Sequence, residues 1–357
     1  MAILATSLAC AVAPTAQAPT PSGAGPSEAA FDVKRFQVAH HFLDFVVDRD
    51  TLFFSGGDDV SALPGLYSYA LSTGEESLVA RASSSDATIS TIAHADGWAL
   101  FVETFPAGRV LYRVRATNGP RDVVLDELAA PDETEATAWR SMTPIPMVTT
   151  AAGLAAWTTT APAAGPTHML SVASLTTGAR ITIRSAQWLS FPSLSGGTLV
   201  YTEGRSERHL WALRPFIETE PHQLLKATDV SEGSIRGDLV AYKKGGRDAL
   251  DPGGIGLLNM RTNEELQVAP ATEQGWQPTI GRRYVVWQGS PSEIRAYDLR
   301  TRQVVVIARA DRDTKGRPGV LGRVAAFGST IVWLSSPPGD LTDVANLKPS
   351  FNVLRAP

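Results

Sequence analysis

A unit of roughly 45 residues recurs along the chain and constrains its fold more than any other feature. In each copy an apolar run ends at a large aromatic residue. These residues lie 41 to 47 positions apart, except for one interval of 56: Phe54, Phe101, Trp157, Tyr201, Tyr242, Trp287 and Trp333. Repeats of this length are typical of supersecondary units that bury a continuous core together.

Each unit divides into four strands. A tight turn such as Asp96-Gly97 or Gly237-Asp238 precedes each aromatic strand, and such residues tolerate the positive φ of short hairpin loops. After most aromatic strands come an alternating strand, a second turn and a further strand, as in "VLYRVRATNGPRDVVL". The pattern predicts an all-β, seven-bladed propeller of four-stranded antiparallel blades. Six blades, or an open ring with one decayed unit, is the alternative.

The two ends of the repeat region complement each other. The last unit ends with "SFNVLRAP", one strand short of four, whereas "DVKRFQVAH" precedes the first unit and has no partner of its own. We expect the N-terminal strand to complete the last blade, because this pairing removes an open sheet edge.

One unit carries a family resemblance. "WQPTIGRRYVVWQGSPSEIRAYDLRTRQVVVI" contains a Pro, a Gly turn, an apolar strand ending in Trp, and a hairpin with Tyr297-Asp298-Leu299 and Thr301. It resembles the repeat of TolB-like, WD40-like exported bacterial propellers, and the resemblance extends over about residues 31–357 at the level of the repeat. The Ser-Pro-Asp-Gly turn of TolB repeats and the N-terminal α/β domain of TolB are absent, so the resemblance does not imply the role of TolB itself.

The N-terminal segment predicts export. Residues 1–18 contain an apolar run followed by Ala16-Gln17-Ala18, which is typical of a signal-peptidase site, although no basic residues precede the run. Ser7 to Cys10 resembles a lipobox with Ser in place of the first Leu, so a lipid anchor at Cys10 is an alternative, as is an Ala-rich disordered tail. Residues 19–30 are interpreted as a Pro/Gly/Ser/Ala tether, and 31–357 as one domain located in the periplasm or outside the cell.

Composition and motifs argue against several functions. A net charge of -4 disfavours nucleic acid as a partner, a single cysteine excludes an internal disulfide framework, and no stretch is apolar enough to span a membrane. No G-x-S-x-G, HExxH or phosphate-binding glycine motif occurs, and we expect neither a metal nor a cofactor. The sequence therefore favours a monomeric, non-enzymatic scaffold for a protein or cell-envelope partner. The alternative is a glycan-binding or glycan-cleaving propeller of lectin or polysaccharide-lyase type, with its site in the central funnel.

The long loops fall on one predicted face. Insertions occur between the second and third strands of blades three, five and seven, and in two connections between blades. The exception is the long hairpin of blade four, residues 214–223, which is predicted on the other face. We expect this long-loop face and its central funnel to bind ligands, because long loops on a rigid scaffold commonly carry function.

Nine residues near these loops are candidate ligand contacts. The tryptophans could stack on a sugar or a partner side chain, with packing between blades as the alternative. The acidic pairs could hold Ca²⁺, with solvated loop charges as the alternative. The adjacent histidines precede blade one on the long-loop side. The candidates are Trp139, Trp188, Trp276, His40, His41, Asp248 with Asp251, and Asp311 with Asp313.

Overall fold

The computed structural model describes residues 27–28, 31–38, 42–56, 64–161, 167–246, 251, 253–273, 275–338 and 350–355. These residues form seven sheets, each with four antiparallel strands, and one of the sheets has a short fifth strand that is parallel. The predicted seven-bladed propeller is confirmed, and the six-bladed alternative is wrong.

Blades one to four follow directly in chain order. Blade one comprises β3 (Phe42–Asp48), β4 (Thr51–Gly56), β5 (Gly65–Ala70) and β6 (Glu76–Arg81). Blade two comprises β7 (Thr88–Ala95), β8 (Trp98–Thr104), β9 (Val110–Thr117) and β10 (Asp122–Ala129). Blade three comprises β11 (Val148–Ala151), β12 (Leu154–Ala161), β13 (Thr167–Ser174) and β14 (Arg180–Ser185). Blade four comprises β15 (Leu189–Ser195), β16 (Thr198–Glu203), β17 (His209–Leu213) and β18 (His222–Gln223).

Blades five to seven include two strands from the N-terminal region. Blade five comprises β19 (Val230–Arg236), β20 (Leu239–Lys244), β21 (Gly254–Asn259) and β22 (Glu264–Ala269), followed by a short 3₁₀ helix (Ala271–Glu273). Blade six comprises β23 (Trp276–Ile280), β24 (Tyr284–Ser290), β25 (Glu293–Asp298) and β26 (Gln303–Arg309), and β1 (Ser27–Glu28) adds a parallel edge to β26. Blade seven comprises β27 (Val320–Phe327), β28 (Thr330–Ser336), β29 (Ser350–Arg355) and β2 (Val33–Phe36).

The N-terminal strand β2 closes the ring. It pairs antiparallel with β29, with Phe36 opposite Phe351. The ring of Phe36 stacks on Tyr69 of blade one, with centroids 4.5 Å apart. The predicted closure of the last blade is therefore confirmed, and an aromatic contact joins it to the first blade.

The repeated aromatic residues form the packing between blades. All seven lie on the second strand of their blade, and none is more than 2% exposed. Each second strand is covered on both faces by neighbouring blades, which explains why these strands read as nearly continuous apolar runs.

The innermost strands are bulged near their beginnings. In every blade except the third, the pairing of the first and second strands shifts register near the start of the innermost strand. At equivalent places in blades four, five and six, Phe191, Glu232 and Gln277 take positive φ of 49°, 56° and 47°. A bulge redirects side chains locally, and here it brings these positions to the central channel.

The insertions predicted in blades three, five and seven lie partly or mostly outside the described residues. The two long connections between blades, 130–147 and 310–319, are described and lie on the same face, as predicted. They include the helix α1 (Glu133–Met142), which connects blades two and three. Asp132 caps its N-terminus, where the aspartate side chain accepts a hydrogen bond from the backbone amide of Glu135. Because strand direction alternates within a blade, the innermost strands begin on this same face. No helix in the described ranges has the length and apolar character needed to cross a membrane.

Candidate functional site

The central channel is the candidate site. Each innermost strand contacts its two neighbours, and β27 contacts β3 to complete the circle. A cavity of about 420 Å³ lies inside this circle and is lined by residues from all seven blades. The bulged, polar positions lie near the starts of the strands, so they are closer to the long-loop face than to the face of tight turns.

Asp44 of blade one contacts blades two and seven at this channel. Its Oδ1 accepts a hydrogen bond from its neighbour Phe45, and its Oδ2 accepts one from the Ile92 amide of blade two, at 2.9 and 3.0 Å. Arg323 of blade seven forms an ion pair with the same carboxylate. Asp44 is 7% exposed, so its charge is compensated by these donors with little help from water.

Glu232, the second carboxylate of the channel, is also bound by protein groups. The Nζ atom of Lys243 lies 2.6 Å from Glu232 Oε1, and both side chains are buried. The backbone amide of Gln277 in blade six donates to Glu232 Oε2 at 2.7 Å. Both channel carboxylates are therefore engaged in contacts that join neighbouring blades.

Arg323 is the accessible charge in the channel. Its side chain is 44% exposed to the channel space, and within the described ranges its only ionic partner is Asp44. Removal from bulk water lowers the pKa of Arg323 to about 10, so the guanidinium remains charged at neutral pH. It also lies over the Phe45 ring, 5.6 Å from the centroid.

The channel wall has two chemically different sides. Besides Arg323, blades five and six contribute Ser234, Gln277 and Thr279, and no group in the described part of the chain bonds to these three side chains. The opposite wall, from blades three and four, is mainly apolar and contains Met147, Val148, Phe191 and Pro192. Hydrogen-bond donors therefore face an apolar surface across the cavity.

The three candidate tryptophans lie apart from the channel and from one another. Trp139 on α1 is half-buried and packs on the apolar core between blades two and three. Trp188 is half-buried, with its ring 5.0 Å from His168. Trp276 is half-buried at the start of β23. The contacts of Trp139 and Trp188 are those of packing between blades, and a role of any of the three in ligand stacking stays a prediction.

The structure describes both members of one candidate acidic pair, Asp311 and Asp313. Asp311 borders a second cavity of about 340 Å³ between blades six and seven, where Arg35 donates to it at 3.2 Å. Asp313 accepts from Arg317 Nε at 2.6 Å, and this bond holds the pKa of Asp313 below its ordinary value.

The remaining candidates are only partly visible. The backbone carbonyl of Asp251 accepts from Lys243. Asp248, His40 and His41 lie outside the described residues. In the described ranges, no three or more His, Cys, Asp or Glu side chains are grouped so that they could hold a metal ion.

The channel residues were not among the sequence candidates. Asp44, Glu232 and Arg323 lie inside predicted strands, where a charge interrupts an otherwise apolar or small-residue run. A charged residue within an innermost strand is the signal that could have identified them, because such a residue must find a partner or face the channel.

No protein-family model and no curated protein matches this sequence. Among solved structures, an oligogalacturonate lyase in complex with manganese is 13% identical with a TM-score of 0.58, covering 94% of this chain and 98% of that one. The oligogalacturonate lyase of Vibrio parahaemolyticus is 11% identical with a TM-score of 0.55, covering 94% and 99%. A prolyl endopeptidase is 11% identical with a TM-score of 0.59, and the match covers 83% of this chain but only 46% of the peptidase. At these identities the similarity shows the propeller fold alone.

Proposed function

We propose that the protein is an exported, non-enzymatic propeller that binds a protein or cell-envelope partner through its long-loop face, with the central channel as the contact site. The supporting observation is that both channel carboxylates, Asp44 and Glu232, are occupied by contacts between blades, whereas Arg323 and neighbouring polar side chains face the cavity. Such a site is equipped to bind, and its described lining residues provide no free acid and base pair. The resemblance to TolB-like repeats agrees with this proposal and stays a prediction.

A glycan-directed function is the second candidate. The observation that favours it is the nearly full-length similarity of fold to two oligogalacturonate lyases, one of them in complex with manganese. In the described part of this chain no three His, Cys, Asp or Glu side chains are grouped so that they could hold a metal ion. The funnel also has an apolar wall, which suits a hydroxyl-rich sugar poorly.

Photo-crosslinking in the producing cells tests the binding proposal. A photoreactive amino acid is placed at position 277, in the channel, or at position 238, in a tight turn on the opposite face. We expect a specific adduct with an envelope component from position 277 and none from position 238. Equal adducts from both positions would contradict the proposed face, and a purely cytoplasmic location by fractionation would contradict export.

An assay with oligogalacturonate tests the second candidate. We expect no unsaturated product, measured by its ultraviolet absorbance, with or without added manganese. Turnover that disappears in an Arg323→Met variant would overturn the non-enzymatic proposal.

A further inference from the structure

We infer that the channel binds a carboxylate whose carbon skeleton is apolar, with Arg323 holding the carboxylate and the wall of blades three and four contacting the apolar part. This inference rests on the proposed binding function and specifies the chemistry of the ligand. The shared chemistry is an apolar carboxylic acid, either as a free small molecule or as the C-terminal carboxylate of a peptide.

The two acidic and two basic side chains of the channel balance each other, so the exposed charge, and not the net charge, determines which ligand the channel attracts. Lys243 is neutralised by Glu232 at 2.6 Å and is fully buried, so it offers nothing to a ligand. Asp44 and Glu232 each already accept hydrogen bonds from protein donors. Arg323 is the remaining charged group with substantial exposure to the cavity, and its charge is positive.

The geometry of Arg323 favours a carboxylate among anions of similar size. A guanidinium has five N–H donors in a planar fork and can bind a carboxylate through two parallel hydrogen bonds. Asp44 pairs with it through the Nη1 atom, and no hydrogen bond from a described residue uses its other N–H groups. The contact to Phe45 restricts the side chain, so less conformational freedom is lost on binding.

Neutral polar groups beside Arg323 add to the same half of the site. Ser234 of blade five and Gln277 and Thr279 of blade six line the cavity and have no bond to another group in the described ranges. Their hydroxyl and amide groups can donate to carboxylate oxygens. Inside a cavity such charge-assisted bonds are stronger than in water, because the local dielectric is lower.

The opposite wall determines the rest of the ligand. The bulge at Phe191 is held by its amide, which lies 3.2 Å from the Met147 sulfur, and Pro192 and Val148 border the same cavity. A hydroxyl-rich skeleton would lose hydrogen bonds to water against this surface, whereas an apolar skeleton gains from burial. A volume of about 420 Å³ lies in the range of sites for small ligands.

Calorimetric titration of the full chain tests the inference with matched probes. Octanoate carries the carboxylate and an apolar skeleton, octanol lacks the charge, and galacturonate keeps the carboxylate on a hydroxyl-rich skeleton. We expect octanoate to bind at least tenfold more tightly than either of the other two. N-acetylphenylalanine and its amide form a further pair, of which only the first carries a carboxylate. Tighter binding of N-acetylphenylalanine than of octanoate would indicate that the natural ligand is the C-terminus of a peptide.

Variants locate the binding. Arg323→Met should weaken octanoate binding at least tenfold, and Arg323→Lys should retain part of it. Arg282→Met is the control, since this exposed residue lies in a turn on the opposite face and should leave binding unchanged. Melting curves followed by circular dichroism must show that each variant is folded. If Arg323→Met does not fold, Gln277→Ala and Thr279→Val together should still weaken octanoate binding severalfold.

Three outcomes would overturn the inference: equal affinity for octanoate and octanol, octanoate affinity unchanged in Arg323→Met, or tighter binding of galacturonate than of octanoate. The last outcome would favour the glycan-directed function. The two proposals can fail separately. An adduct at position 277 without octanoate binding would contradict only the carboxylate inference, and octanoate binding without an adduct would contradict only the role in binding a partner.

Discussion

Lys243 and Glu232 form a buried ion pair, with Lys243 Nζ 2.6 Å from Glu232 Oε1, and it joins two strands of blade five at the edge of the central channel. Glu232 has a φ of 56°, and its other carboxylate oxygen accepts a hydrogen bond from the backbone amide of Gln277 in blade six. The pair thus fixes a bulge, an innermost strand and the contact to the next blade at once.

Removal of the lysine should therefore be costly. Lys243→Met would leave the Glu232 carboxylate buried without its counter-ion, and we expect a loss of about 3–5 kcal/mol in the free energy of unfolding. Urea denaturation followed by tryptophan fluorescence measures this loss. The matched control is Lys244→Met, which removes a half-exposed pair with Glu265 and should cost less than about 1 kcal/mol.

A double variant separates charge from packing. Lys243→Met combined with Glu232→Gln removes both charges while an amide oxygen can still accept from Gln277. We expect this variant to be more stable than Lys243→Met alone. If the two are equally unstable, the lost contacts of the lysine stem, and not the unpaired carboxylate, account for the effect.

The fold could be predicted because the aromatic residue of each second strand has a constant environment. Trp287 and Tyr242 are both fully buried between blades, and the same requirement at seven places leaves a period in the sequence. The closing strand could be predicted for a similar reason, since "DVKRFQVAH" has strand character and no other partner.

The channel could not be predicted in the same way. Asp44, Glu232 and Arg323 come from three blades and from different sequence contexts, and only the closed ring brings them to one cavity. The bulges that orient these three residues depend on the pairing between strands, and the repeat of aromatic residues in the sequence gives no sign of them. Trp139 and Trp188 had the residue type of ligand contacts, but residue type alone does not distinguish stacking on a ligand from packing between blades.

Acid should destabilise the protein partly through His168. Burial lowers the pKa of this imidazole below its ordinary value near 6.5, so the unfolded chain takes up the proton first as the pH falls. The stability that neutral His168 contributes is complete above about pH 6.5 and is lost as the pH falls from there through the folded-state pKa. The ring is 7% exposed and contacts Thr160 through Nδ1 at 2.9 Å.

Urea midpoints at about pH 7.5 and about pH 5.5 measure this dependence. We expect His168→Asn to lose less stability between the two values than the natural chain does. His222→Asn removes an exposed imidazole and should behave like the natural chain. Identical pH dependence in the natural chain and His168→Asn would show that the buried imidazole does not titrate on unfolding.

Removal of the closing strand should open the ring. Deletion of residues 1–37 removes β2, which exposes the edge of β29 and eliminates the stacking of Phe36 on Tyr69. We expect a lower Tm by calorimetry and concentration-dependent association by light scattering, because an unpaired edge can recruit another chain. Deletion of residues 1–30 also removes β1 but keeps β2, and it is the control. Equal Tm for the two shortened chains would show that blade seven is stable with three strands.

The turn before β12 offers a stabilising substitution. Ala152 has a φ of 52° and precedes Gly153, while its amide donates to Asp96 of blade two at 2.7 Å. A left-handed conformation costs a residue with a Cβ roughly 1–2 kcal/mol, and glycine avoids this cost. After allowance for the greater freedom of glycine in the unfolded chain, we expect Ala152→Gly to raise the free energy of unfolding by about 0.5–1 kcal/mol. Ala151→Gly, in extended β11, should lower it by about as much. Urea denaturation of both variants decides the matter, since a loss of stability in Ala152→Gly would show that the turn is not strained.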